Sequence, residues 1–191
     1  MRVTSDEPRP IGDEEFFDVC MANPDLRIER NARGEIVIVP PAGGESDYRS
    51  LSLGAQLKNW ALRDGMGKAF GSTACFLLPD GAGLSPDAAW VSNATLAKLA
   101  PQARKRFMPV VPEFVVEVMS PSDRLKDAHE KMEQWIRNGV SLGWLVDGDS
   151  RMVYVYRRGQ SVLKHASVDR LAAGEPLGGF VPDLSDVWSG F

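Results

Sequence analysis

Stretches of period-two hydrophobicity alternate with stretches of helical period along this chain, and Gly, Pro, Asn or Ser marks most of the changes. DEEFFDVCMAN, opened by Asp13 as the expected N-cap and stopped by Pro24, predicts a short helix carrying Phe16, Phe17, Val19 and Cys20. LRIER and EIVIVP flank the turn residues of NARG and predict a β-hairpin. After the loop PPAGGE, the spacing of Leu51, Leu53, Ala55, Leu57, Trp60, Ala61 and Leu62 gives a long amphipathic helix closed by Gly65. GKAFGS and ACFLLP read as short strands, DGAG as a turn, and LSPDAAWV as a strand entered through Pro86. SNATLAKLA predicts a short helix capped by Ser92 or Asn93, and the basic loop RKRFMPVVP follows it.

EFVVEVM, residues 113–119, has the composition of a strand buried on both faces. SPSDRLKDAHEKMEQWIRNG predicts a helix with Ser120 or Ser122 as cap, Asp123 at the positive end of its dipole and Gly139 as its stop. Its apolar stripe is Leu125, Ala128, Met132, Trp135 and Ile136. LGWLVD reads as a buried strand, MVYVYR and SVLKHA as a second hairpin around GQ, and GFVPDLSDVW as a short apolar anchor. No repeat, linker or low-complexity tract interrupts this order. The expectation is one α/β domain over 1–191, built around a mixed β-sheet flanked by helices, with hairpins toward both ends.

Composition narrows the function classes. Of 191 residues, 43% are hydrophobic and 25% charged, which suits one globular core. The 22 basic residues against 26 acidic ones leave a net charge of −4, too acidic for a surface that coats nucleic acid non-specifically. Cys20 and Cys75 stand apart from each other and from any histidine cluster, so a structural zinc site is not expected. No apolar run is long enough to span a membrane, and MRVTSDEPRP has no leader pattern. A reduced, cytoplasmic protein without membrane association is the expectation. Trp60, Trp90 and Trp188 suit either core or interface.

The candidate chemistry begins with Glu117. An ionised carboxylate inside a buried strand costs several kcal/mol unless a cation, a hydrogen-bond network or a metal ion meets it. Asp87 is a second acid in an otherwise apolar strand. By alternation Glu117 shares a face with Val115 and Met119, and Asp87 with Ala89 and Val91. On adjacent strands the two carboxylates would converge, a donor set for Mg²⁺ or Mn²⁺. Lys131 lies at the edge of the buried face of the following helix, with Arg124 seven residues earlier and Asp127 one turn earlier. A buried ion pair of Glu117 with Arg124 or Lys131 is the plainer alternative. His129 and His165 are expected at the surface, and the run ARKRF in a solvated loop.

SPDAAWV, PEFVVEVMSPSDRLKDAHEKMEQWIRNGV and GWLVDGDSRMVYVYRRG together resemble the Uma2-type proteins, the domain of unknown function 820, within the PD-(D/E)xK nuclease superfamily. The likeness runs from about Phe16 to the hairpin near Lys164. It implies a restriction-endonuclease-like fold and a Mg²⁺- or Mn²⁺-dependent endonuclease acting on nucleic acid, DNA first. Asp87 and Glu117 match the family's acids, and the carbonyl of Val118 completes the metal site. Glu29 resembles an acid that borders it. The superfamily's usual lysine would fall at position 119, which here is Met119; Lys131 matches a lysine that replaces it from the helix, and Asp127 an acid one turn earlier. Arg124, Lys126, Arg104 and Lys105 would draw in the phosphate backbone. Where relatives often begin the long helix with His, this chain has ESDYRS. Nucleases of this fold often pair to cut two strands, so a homodimer is expected by analogy. The rival expectation is a nuclease fold without activity, serving as a nucleic-acid-binding or protein-interaction module.

Overall fold

A computed structural model describes residues 10–190. Residues 1–9 lie outside the described residues, and with them nearly all of MRVTSDEPRP, on which the expectation of no leader rests. The described residues form two sheets. The larger has six strands in the order β10-β9-β8-β7-β6-β3, namely Leu163–Ala166, Met152–Arg157, Leu142–Asp147, Phe114–Val118, Ala88–Ser92 and Gly67–Gly71. Only β7 and β8 run parallel, joined by the helix α4, Leu125–Arg137; the other neighbours are antiparallel. The mixed sheet expected from the pattern is therefore present. Beside it lies a second sheet, β2-β1-β5-β4, made of Ile36–Val39, Arg27–Arg30, Gly83–Leu84 and Phe76–Leu77. Two of its strands are only two residues long: β4 falls within ACFLLP, expected as a strand, whereas β5 straddles the expected turn DGAG and the start of LSPDAAWV.

Strand alternation divides the core. Phe114, Val116, Val118, Trp144 and Val146 face α2 (Gly44–Asp64), where Leu53, Leu57 and Trp60 meet them. Phe180, Leu184 and Trp188, the last from the terminal helix α5 (Ser185–Ser189), close that layer. Trp60, Trp90 and Trp188 are thus core residues. On the opposite face Ala89, Val91, Val115, Leu145, Tyr154 and Tyr156 pack against Met132 and Trp135 of α4. Burying an aromatic or Leu-sized side chain contributes about 1.5–3 kcal/mol, so these layers dominate the stability.

Several local expectations are corrected. Gly12, not Asp13, is the N-cap of α1 (Asp13–Ala22); Asp13 instead binds Arg30 at 2.5 Å. Neither Ser120 nor Ser122 caps α4, whose N-cap is Arg124 without a side-chain bond; Asp123 accepts the Ser120 N–H at 2.7 Å, closing a turn before the helix. Leu125 is 40% exposed and off the buried stripe. Asp87 sits one residue before β6 rather than within it. Ser92 does cap α3 (Asn93–Leu96), accepting the Thr95 N–H. Gly65 ends α2 in the left-handed region at φ 74°, a conformation glycine adopts without Cβ strain.

Candidate metal centre

β6 and β7 pair as Ala88 with Val116 and Ala89 with Val115. One step further this register sets Asp87 opposite Glu117, beyond the last paired residues. Directly opposed residues of an antiparallel pair share a face. Here that face is the one covered by α4. Asp87, Glu117, Val118 and Lys131 line one cavity of about 570 Å³, together with Arg27, the first turn of α2, Arg124 and Asp127.

Each polar group is held in place. The indole of Trp135 donates to Glu117 Oε1 at 2.8 Å, and Lys131 Nζ lies 3.0 Å from the same oxygen. Lys131 Nζ also reaches Glu29 Oε1 at 3.4 Å. Glu29, in β1, accepts the backbone N–H of Ser85 at 3.1 Å. The N–H of Val118 donates to Asp87 Oδ2 at 2.8 Å. Among the described residues, Asp87 Oδ1 and Glu117 Oε2 have no protein donor. The ammonium therefore bridges two acids, Glu29 and Glu117, while Asp87 is tied to the strand beside them. The plain ion pair expected for Glu117 is present with Lys131, not with Arg124.

Burial sets the electrostatics. Loss of water pushes the Glu117 carboxyl up to about 7; Lys131 opposes that shift, whereas Asp87 and Glu29 add to it. Desolvation also raises Asp87, against the Val118 N–H, Lys131 and Arg27. Burial works to discharge Lys131, but Glu117 and Glu29 outweigh it and hold the ammonium above the ordinary lysine range. Because the Glu117 value lies above the ordinary 4.5, its protonated form favours the fold. That contribution, on the order of 3 kcal/mol, is whole below about pH 4.5 and lost as pH rises through about 7. Between about pH 5 and pH 8 the wild type should lose Tm relative to Glu117→Gln, whose amide does not titrate. Parallel Tm curves would mean that Glu117 ionises freely in the folded protein.

The remaining expected site residues divide. Arg124 lines the cavity from the start of α4, and Asp127 one turn before Lys131. Lys126 points away, 3.6 Å from Glu130. Arg104 and Lys105 sit exposed on a single 3-10 turn, Ala103–Lys105, that does not border the cavity. Their neighbour Arg106 pairs with Glu14 and lies over the Phe17 ring. His129 is half-buried, not a free surface group: Nδ1 contacts the Tyr156 hydroxyl and its ring meets Tyr154 edge-on at 4.8 Å. Trp135 carried no sequence signal beyond its place in the apolar stripe, and Arg27 and Ser46 carried none. No group of three or more His, Cys, Asp or Glu side chains among the described residues is arranged to hold a metal ion. Glu29 is spent on Lys131 and Ser85.

The Uma2 family, described as "Putative restriction endonuclease", matches residues 13–185. This chain belongs to the Uma2 family. Among solved structures, it is similar to the crystal structure of a "putative nuclease belonging to DUF820" from Anabaena variabilis, with a TM-score of 0.76 and 19% identity over 94% of this chain and 98% of that one. The likeness shows a shared fold, a mixed sheet flanked by helices. A DrdV–DNA complex also matches, at TM-score 0.38 and 14% identity over 60% of this chain and 9% of that one; so distant a likeness carries no argument. No curated protein matches. Among the described residues, no helix of this Uma2 protein is long and apolar enough to cross a membrane.

Proposed function

We propose that this Uma2 protein is a divalent-metal-dependent endonuclease that hydrolyses phosphodiester bonds of nucleic acid, DNA first, with Asp87, Glu117 and Lys131 at its active centre. One observation carries the reading: an acid in β7 and another just before the adjacent β6 face one cavity, each with one oxygen fixed by an N–H and one free, and an ammonium lies against one of them. Free carboxylate oxygens on a shared face suit a hard cation. The family's description supports the reaction class.

Asp87, Glu117 and the carbonyl of Val118 would hold one Mg²⁺ or Mn²⁺, with Glu29 at the border. Such an ion, when bound, offsets phosphate charge and makes water a better nucleophile. The chain's own groups do the rest. The Val118 and Trp135 N–H groups fix which carboxylate oxygens remain free. Glu29 steers Lys131, whose ammonium orients the attacking water or stabilises charge developing on the phosphate oxygens. Hydrolysis bonds the water oxygen to phosphorus and releases the sugar oxygen, the two water protons ending on the products. The cation reaches the centre from α4, so Met119 need not supply one.

A second reading has its own observation. Lys131 bridges Glu29 and Glu117, which is a satisfied buried ion network even without a metal. A nuclease fold that only binds nucleic acid or protein would look the same there. Calorimetry with Mn²⁺ and a plasmid-nicking assay separate the two. The endonuclease should bind Mn²⁺ with measurable heat and nick supercoiled plasmid, and EDTA should stop the nicking. Wild type that neither binds Mn²⁺ nor nicks in its presence returns the protein to the binding-module reading.

A further inference from the structure

We propose that the first turn of α2, with Ser46 and Arg27, forms a subsite for a second backbone phosphate of the nucleic acid, beside the acids that would hold the metal. The inference rests on the reading of the cavity as a nucleic-acid site and adds to it the means by which the strand is placed.

α2 is 21 residues long, and its N-cap is Gly43, which has no side chain to cap it. The first intrahelical bond of this end joins the Asp47 N–H to the Gly43 carbonyl. The N–H groups of Gly44, Glu45 and Ser46 therefore have no partner among the described residues. A helix start with free N–H groups attracts anions through both hydrogen bonds and dipole. This start borders the cavity, which Gly43, Ser46 and Ser50 line.

The side chains point the same way. Ser46 is 3% exposed, lines the cavity, and its hydroxyl has no hydrogen-bond partner. Buried hydroxyls are normally paired, so an unpaired one on a cavity wall marks a place for a ligand oxygen. Ser50 differs: its hydroxyl is spent on the Ser46 carbonyl at 2.8 Å. Arg27 lines the same cavity and gives Nη2 to the Ser85 carbonyl at 3.0 Å. Its buried Nε has no partner, and no carboxylate lies within ion-pair distance of it among the described residues.

Acids near the helix start could repel an anion, yet the fold turns them aside. Glu45 is drawn to Arg49 at 3.3 Å, and neither Glu45 nor Asp47 lines the cavity. Arg49 is itself buried and anchored to Asp149 at 2.9 Å. Gly148 makes room for it, since a Cβ there would lie 2.5 Å from the guanidinium carbon. Asp123 and Asp127 line the cavity from the α4 side, which leaves the wall of Arg27 and Ser46 as the favourable one for phosphate.

The test is anisotropy of a fluorescein-labelled oligothymidylate, in EDTA and in Ca²⁺, on the full chain. Ser46→Ala should weaken binding about tenfold in both buffers, the worth of one hydrogen bond to a charged group. It should leave Tm unchanged or higher, because it removes an unpaired hydroxyl. Gly43→Asp should raise Tm by capping α2 and weaken binding at least as much, because its carboxylate takes the phosphate's place. Arg27→Met should weaken binding similarly. Asp87→Ala with Glu117→Ala should lose only the gain that Ca²⁺ gives. Wild-type binding in the Ser46 and Gly43 variants, or no oligonucleotide binding by wild type in either buffer, overturns the subsite. Weakened Ser46→Ala with no Ca²⁺ effect in wild type keeps the subsite and counts against the metal reading.

Discussion

Asp87→Ala combined with Glu117→Ala is expected to abolish the heat of Mn²⁺ binding and to lower plasmid nicking by about 10³-fold or more, the rate equivalent of roughly 4 kcal/mol. The two carboxylates offer the free oxygens of the cavity, and a single carbonyl cannot retain a divalent ion alone. The fold should survive. Losing Asp87 leaves the Val118 N–H without its acceptor, and losing Glu117 does the same to the Trp135 indole. Each orphaned donor costs about 1–3 kcal/mol. Against that, two carboxylates whose charged forms burial disfavours disappear. A modest fall in Tm, followed by calorimetric melting, with complete loss of metal binding is the expected pair of results. A double variant that binds Mn²⁺ like wild type would place the metal elsewhere and end the proposed mechanism.

Lys131→Met should lower nicking by about 10²–10⁴-fold while sparing Mn²⁺ binding. Methionine keeps the aliphatic length and removes the charge. Glu29 and Glu117 then face each other without the ammonium between them. Breaking a buried ion pair from one side costs about 3–5 kcal/mol, and the 28% exposure of the Lys131 side chain reduces that here. Saturating Mn²⁺ should therefore raise the Tm of this variant more than that of wild type, because the ion replaces part of the missing positive charge. The comparison of rates is made at saturating Mn²⁺, where both proteins are folded. A variant that cuts as fast as wild type there would leave Lys131 as a structural cation only.

Much of the fold was legible because its elements carry strong periods. β7 and β8 are dense apolar runs, and α2 and α4 repeat at helical spacing over 21 and 13 residues. Of the second sheet, the β1–β2 hairpin and β4 within ACFLLP were legible, but β5 and the joining of these strands into one sheet were not, since β5 contains two residues and its pairing is set by tertiary contacts. Capping was misjudged for one physical reason: the expected caps found other partners than their helix ends, Asp13 in Arg30 and the Ser120 and Ser122 hydroxyls in each other. At the site, misfit was the useful signal. An acid in an apolar strand singled out Glu117, another at a strand's entrance singled out Asp87, and the helical wheel brought Lys131 to the same side. Glu29 entered through family likeness alone. The residues that escaped notice, Trp135, Ser46 and Arg27, look ordinary in a sequence. A tryptophan in an apolar stripe reads as packing, and nothing in a linear pattern reveals that its N–H meets a carboxylate or that a serine hydroxyl has no partner.

The indole bond to Glu117 also gives the protein an optical gauge. Trp60, Trp90, Trp144 and Trp188 are all buried in the α2 layer, across the sheet from the acids, whereas Trp135 alone lies on their side with its N–H on the carboxylate. Charge arriving at or leaving Glu117 perturbs one fluorophore directly and the other four only from a distance. Emission from the unlabelled chain thus carries a signal of what occupies the cavity, and Trp135→Phe identifies the part that belongs to it.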